Sequence, residues 1–165
     1  TLQVQTVMLI DVRCPTSASS HHLLEALCSL PNLTVLELHG KEIQEQFYST
    51  LNAKASTLQV QTVMLIDVRC PTSASSHHLL EALCSLPNLT VLELHGKEIQ
   101  EQFYSTLNAK ASTLQVHTVW LEDVRCPTSA SLHQLVDALC SMQNLTRVAL
   151  KGKNLKEEFF SALNA

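Results

Sequence analysis

The chain is 165 residues long, 45% hydrophobic and 16% charged, with a net charge of −4. That balance fits a folded protein and argues against nucleic acid or an anionic membrane surface as partner, because both call for a basic patch. No apolar stretch approaches the roughly 18 residues that cross a bilayer, and the lack of a starting Met or a signal-peptide pattern reads as a fragment or a processed form.

In chain order, VQTVMLIDVRC comes first, Val4 to Cys14. Val7 and Leu9 alternate with Met8 and Ile10, the period of two that marks a strand with one buried face. SASSHHLLEALCSL (Ser17 to Leu30) sets Leu23, Leu24, Leu27 and Leu30 on one helical face. A Ser or Thr ahead of it serves as N-cap, and Pro31 ends it. LTVLELHGKEI (Leu33 to Ile43) is a second strand, with Leu36 and Leu38 alternating with Glu37 and His39. KEIQEQFYSTLNA then places Ile43, Phe47 and Leu51 four apart, the apolar face of a second helix. AKAS (Ala53 to Ser56) reads as a short loop into the next strand.

The whole pattern then starts again. Residues 57–112 repeat residues 1–56 letter for letter, and residues 113–165 form a third copy that differs at 19 of 53 positions. Each unit divides again into two strand–helix halves of about 28 residues, with strand segments opening at Val4, Leu33, Val60, Leu89, Val116 and Leu145. One strand and one helix cannot cover each other on both sides, so such halves must stack. The expectation is one continuous domain over residues 1–165. Two identical units beside a diverged one point to construction from a natural repeat or to a very recent tandem duplication.

The shared template is LxxLxLxx, a variable residue, and one apolar residue two places later. In six copies at this spacing it resembles the leucine-rich repeat, specifically the long ribonuclease-inhibitor-like type also found in NOD-like receptors. The resemblance implies an α/β solenoid, a horseshoe arc with a parallel sheet on its concave face and helices on its convex face. It also implies recognition of a protein partner through the concave face. There is one departure. The family often has Asn or Cys at the ninth template position, where this chain has Val12, Lys41, Val68, Lys97, Val124 and Lys153. The turn after each strand must therefore satisfy its backbone groups by other means.

The concave residues expected to meet a partner are Met8, Ile10, Glu37, His39, Met64, Ile66, Glu93, His95, Trp120, Glu122, Arg147 and Lys151. Met8, Ile10, Met64 and Ile66 are expected to expose apolar side chains near one another. Two readings of them stand: a contact patch, or lateral packing along the sheet. Trp120 is the single Trp, a residue type enriched at interface hot spots. Glu122 and Lys151 are expected side by side on adjacent strands. In the third copy, six of eight outward strand positions change against 13 of 45 elsewhere. The changes fit either a polar terminal cap or a face diverged for recognition.

No catalytic constellation stands out, and no enzyme, metal or cofactor is expected. Ile66 separates His39 from His95, and three glycines build no phosphate loop. His21 and His22 are adjacent on a helix and so face apart. Asn32, Asn88 and Asn144 each begin an Asn-Leu-Thr sequon; a turn before a strand, with Leu buried, is the expected role. Six cysteines fall two per repeat among apolar residues, too far from their equivalents for disulfides, which points to a reducing, cytoplasmic location. A structural, self-assembling scaffold is the alternative function. Thr1 and Leu2 open the first unit without a cap, so self-association through that end or through the concave face is the expected route.

Overall fold

A computed structural model describes residues 3–40, 43–96, 99–152 and 156–164. Strand and helix alternate: β1 (Thr6–Ile10), α1 (Ser17–Cys28), β2 (Val35–His39), α2 (Glu45–Lys54), β3 (Thr62–Ile66), α3 (Ser73–Ser85), β4 (Val91–His95), α4 (Glu101–Lys110), β5 (Thr118–Glu122), α5 (Ser129–Ser141), β6 (Arg147–Lys151) and α6 (Lys156–Leu163). The strands form one parallel sheet in chain order, so each strand pairs with those just before and after it. Thr1 and Leu2 lie outside the described residues.

The sheet is buried on one face. Leu36 and Leu38 of β2, Val63 and Leu65 of β3, Leu92 and Leu94 of β4, and Val119 and Leu121 of β5 are at most 2% exposed. They pack into a single apolar core with Leu24, Phe47, Leu79, Phe103 and Leu135 from the helices. The opposite face is half-open, with Val35, Glu37 and His39 partly exposed and their equivalents alike. Parallel sheets usually have both faces covered. Here one side stays wet, which the period-two alternation anticipates.

Each ordered strand begins two residues after its template start, because Leu33 and Leu89 turn into the core before pairing begins. The entry turn is tied to the preceding half-repeat. The amides of Thr34 and Val35 both donate to the Gln5 carbonyl, at 2.9 and 3.0 Å, and the same pattern recurs at Thr90 and Val91 on Gln61. Asn88 Nδ2 donates to Gln59 Oε1 at 2.6 Å, Asn144 to Gln115 at 2.7 Å, and Asn32 to Gln3. The three sequon asparagines thus hold the turns before β2, β4 and β6.

The exit turn resolves the missing ninth-position ladder. The sheet pairing simply runs on: Asp11 N donates to His39 O at 2.9 Å, Gly40 N to Ile66 O at 3.1 Å, and Asp67 N to His95 O at 2.9 Å. Val68 and Val124 fill the core there, and Lys41, Lys97 and Lys153 lie outside the described residues. Asp11, Asp67 and Asp123 take left-handed φ of 46–49°, and Gly40 lies at φ 117°. A Cβ on Gly40 would fall 1.8 Å from the Asp11 carboxylate, so this position needs glycine for space as well as for conformation.

The helices are capped as their sequences allow. Thr16, Thr72 and Thr128 each accept the amide of the residue three along through Oγ1, all at 3.1 Å. Thr72 and Thr128 also donate to Glu45 at 2.6 Å and to Glu101 at 3.1 Å, acids in the first turn of the preceding helix. AKAS is not a loose loop. Ala53 and Lys54 end α2, and a 3-10 turn follows at Ala55–Thr57, with Ala55 fully buried. The Thr57 hydroxyl closes it on the Lys54 carbonyl at 2.7 Å, and Cys28 Sγ stands 3.2 Å from the same hydroxyl.

Leu94→Ala removes a fully enclosed side chain and is expected to cost about 2–5 kcal/mol. Leu150→Ala, at a half-buried position on the last strand, is expected to cost clearly less. Guanidinium unfolding midpoints at constant slope measure both.

Candidate functional site: the open sheet face

The strand register assembles the outward side chains into rows. Met8, Glu37, Met64, Glu93, Trp120 and Ala149 stand side by side, as do Ile10, His39, Ile66, His95, Glu122 and Lys151. Thr6, Val35, Thr62, Val91, Thr118 and Arg147 form the flanking row. All twelve residues singled out from the sequence lie on this one face.

They do not make a continuous apolar patch. Glu37 and His39 stand between Met8 and Ile10 on β1 and Met64 and Ile66 on β3. The apolar pairs are therefore two strand spacings apart, about 10 Å. Only the β1 pair is strongly exposed, Met8 at 52% and Ile10 at 59%. Met64 and Ile66 are half-covered by their neighbours, so lateral packing accounts for part of what the sequence offered as contact surface.

The polar residues do come together. His39 Nε2 lies 3.0 Å from Glu37 Oε2, and His95 repeats the contact with Glu93 at 3.0 Å. The third unit extends the second pair. Glu122 replaces an Ile at the neighbouring strand position, and His95 Nδ1 lies 3.2 Å from its Oε2. Lys151 Nζ then sits 2.5 Å from the other Glu122 oxygen. Glu93, His95, Glu122 and Lys151 form one polar chain across three strands.

The hydrogen bond from Lys151, reinforced by its charge and that of His95, holds the Glu122 carboxyl below the usual glutamate range. Lys151 is raised in turn, first by that hydrogen bond and then by the Glu122 charge. On the flanking row, the Arg147 guanidinium lies over the Trp120 ring, 5.3 Å from its centroid. Sequence reasoning singled out both residues but missed their contact. The signal was available: Arg147 sits two positions from Ala149, the register partner of Trp120, so it is a diagonal neighbour of the ring. Ala149 stands beside the ring on β6, and Glu93 on β4.

The His–Glu pairs lie along an open sheet, and each carboxylate on His95 meets a different ring nitrogen, so the three groups do not converge on a point. No group of three metal-ligating side chains converges among the described residues. Burial pushes the Cys70 and Cys126 thiols up to about 11, which keeps them protonated and poorly nucleophilic. His21 pairs with Glu25 at 2.9 Å on the surface of α1, away from the sheet. The helix side carries one feature the sequence did not suggest. A cavity of about 630 Å3 lies between α5 and α6, lined by Cys126, Thr128, His133, Glu157, Glu158 and Ser161 among others.

Lys151→Met removes the hydrogen bond that lowers Glu122. The expected result is a higher titration midpoint for the Glu122 carboxyl by NMR. Because the folded value lies below the unfolded one, the pair's small stabilisation is present above the unfolded value and is lost as pH falls through the folded one.

Among the described residues no helix is long and apolar enough to cross a membrane. No protein-family model matches the chain, and no curated protein matches it. Its fold and rows stand as an α/β repeat protein, a six-stranded parallel sheet alternating with helices.

Proposed function

We propose that the chain is a leucine-rich-repeat solenoid of the ribonuclease-inhibitor-like type, an arc with its sheet on the concave side. We propose further that it is a non-catalytic module that binds a protein partner through that face. The template LxxLxLxx in six copies supports the first statement. One observation carries the second: side chains the core does not need are those that differ most between units. Six of eight outward strand positions change in the third unit, against 13 of 45 elsewhere. The altered positions bring Trp120, Arg147 and Lys151 to one end of the rows, while Glu37 and Glu93 mark the rest.

The partner that fits presents basic groups toward Glu37 and Glu93 and an acidic group toward Arg147 beside Trp120. Trp and Arg are the residue types that most often dominate interface energetics. Six unpaired cysteines suit a reducing compartment such as the cytoplasm. A structural scaffold is the second reading, and the identity of residues 1–56 and 57–112 favours it.

The immobilised chain is expected to retain a protein that a face variant, Glu37→Arg with Glu93→Arg and Arg147→Glu, no longer retains. A helix-side control, Glu25→Lys, is expected to keep it. Calorimetry with the purified partner then measures the loss, at least tenfold in Kd. Binding that is indifferent to the face variant, or no specific binding at all, sinks the proposal and leaves the scaffold reading.

A further inference from the structure

The open face repeats at a fixed interval. Residues 1–56 and 57–112 are identical, so β3 and β4 present again the outward side chains of β1 and β2. Along one row the order is Met8, Glu37, Met64, Glu93 and Trp120, apolar and acidic by turns, on consecutive strands. Neighbouring strands are about 4.8 Å apart. Like side chains in the row therefore recur at every second strand, at about 9.6 Å. Glu37 and Glu93 lie one such step apart, and Met8, Met64 and Trp120 span two.

The two acids are held alike. His39 Nε2 meets Glu37 Oε2 at 3.0 Å, and His95 Nε2 meets Glu93 Oε2 at 3.0 Å. That contact engages one oxygen of each carboxylate, which has a second with which to accept. Both acid side chains are partly exposed, at 16% and 22%, and so are Met64 and Trp120 beside them. Among the described residues, the outward strand positions from β1 to β5 include no Lys or Arg. Basic groups enter at β6, with Arg147 and Lys151. A cationic ligand is thus attracted to β2–β4 and turned away from β6.

The interval selects a ligand backbone. A segment laid along the row must bring a like side chain to the face at about 9.6 Å. In a β-strand, residues of one face recur at about 6.7 Å. In an α-helix the same face returns after seven residues, at about 10.5 Å. Polyproline II has three residues per turn and rises about 3.1 Å per residue, so every third side chain points the same way at about 9.3 Å. Over the two steps from Met8 to Trp120 a helix drifts by about 1.8 Å and polyproline II by about 0.6 Å. Polyproline II segments also dock on aromatic-lined surfaces, and Trp120 with Met64 and Ile66 supplies an apolar surface here.

We propose that the open face binds a polyproline II segment carrying Lys or Arg at every third residue, with successive basic side chains on Glu37 and Glu93 and the intervening prolines over Met64 and Ile66. The proposal rests on the reading that this face takes a protein partner, and it names that partner's conformation and charge. The segment runs across the strands, with its basic run over β2 to β4. The contact uses side chains of interior strands and no sheet edge.

Fluorescence anisotropy with two labelled peptides tests this. PPKPPKPPKPP and PKPPPKPPPKP have the same composition and charge, but their lysines recur every third residue in the first and every fourth in the second. The first is expected to bind the chain about fivefold more tightly, the scale of one or two exposed ion pairs. Glu37→Gln with Glu93→Gln is expected to abolish that preference. So is Met64→Glu with Glu93→Met, which keeps the charge and sets the two acids on adjacent strands. Circular dichroism checks that the variants are folded, and either folded variant suffices. Equal affinity for the two peptides, binding of neither, or a preference that survives a folded variant overturns the proposal. If the preference is absent while the chain still retains a partner that the Glu37→Arg, Glu93→Arg and Arg147→Glu variant loses, this inference alone fails and the broader reading of the face stands.

Discussion

A strand followed by one helix has more apolar surface than the pair can cover. Leu36 and Leu38 face α-helical residues on one side of the sheet, but their flanks are covered by Val63 and Leu65 of the next strand, and by Val7 and Leu9 on the strand before. Lateral stacking therefore carries the fold. Burying a side chain of this size stabilises by about 1.5–3 kcal/mol, and at the ends of the sheet part of that is lost. Val148 and Leu36 hold equivalent places, yet one is 40% exposed and the other 1%. Position in the stack, more than residue type, decides how much each apolar side chain contributes.

Stacking at a constant offset requires that backbone groups outside the strands find partners in the neighbouring unit. The entry and exit turns supply them. At the exit, Asp11 in the left-handed region lies against Gly40, and Asp67 against Gly96. The two half-repeats thus use different residues at one turn: one supplies a side chain that occupies space, and the other leaves that space empty. This is a physical reason for the 56-residue period, beyond the alternation of 29 and 27 in the half-repeat lengths read from the sequence. At the entry, the Asn–Gln contacts tie the turns before β2, β4 and β6 to the preceding half-repeat, so the register of those strands is pinned at both ends.

The rows of the open face were legible because two periodicities multiply. Strand alternation fixes which residues point outward, and a constant repeat length fixes which of them stand side by side. Glu122 beside Lys151 follows from those two facts alone. Contacts that depend on tilt and offset did not follow. Thr72 on Glu45, Asn88 on Gln59 and Cys28 on Thr57 join residues 27–29 apart, and no local pattern marks them. AKAS was misread for a related reason: a short polar and alanine segment looks like a loop until Ala55 is seen buried under the next helix. The apolar patch was over-read because adjacency along a strand was clear while the intervening Glu37 and His39 were given too little weight.

The third unit's exchanged residues meet one another on the sheet. Placing Glu122 beside His95 adds a second carboxylate to one already held at Glu93; Lys151 on the next strand offsets the added charge and is drawn to 2.5 Å from it. Trp120, where the earlier units have Met, stands between Glu93 and Ala149, and Arg147 lies over its ring. Each group of changes joins side chains on adjacent strands. Lys151 opposite a retained Ile would have no carboxylate to pair with. Both exchanges therefore act across the same pair of neighbouring strands, β5 and β6.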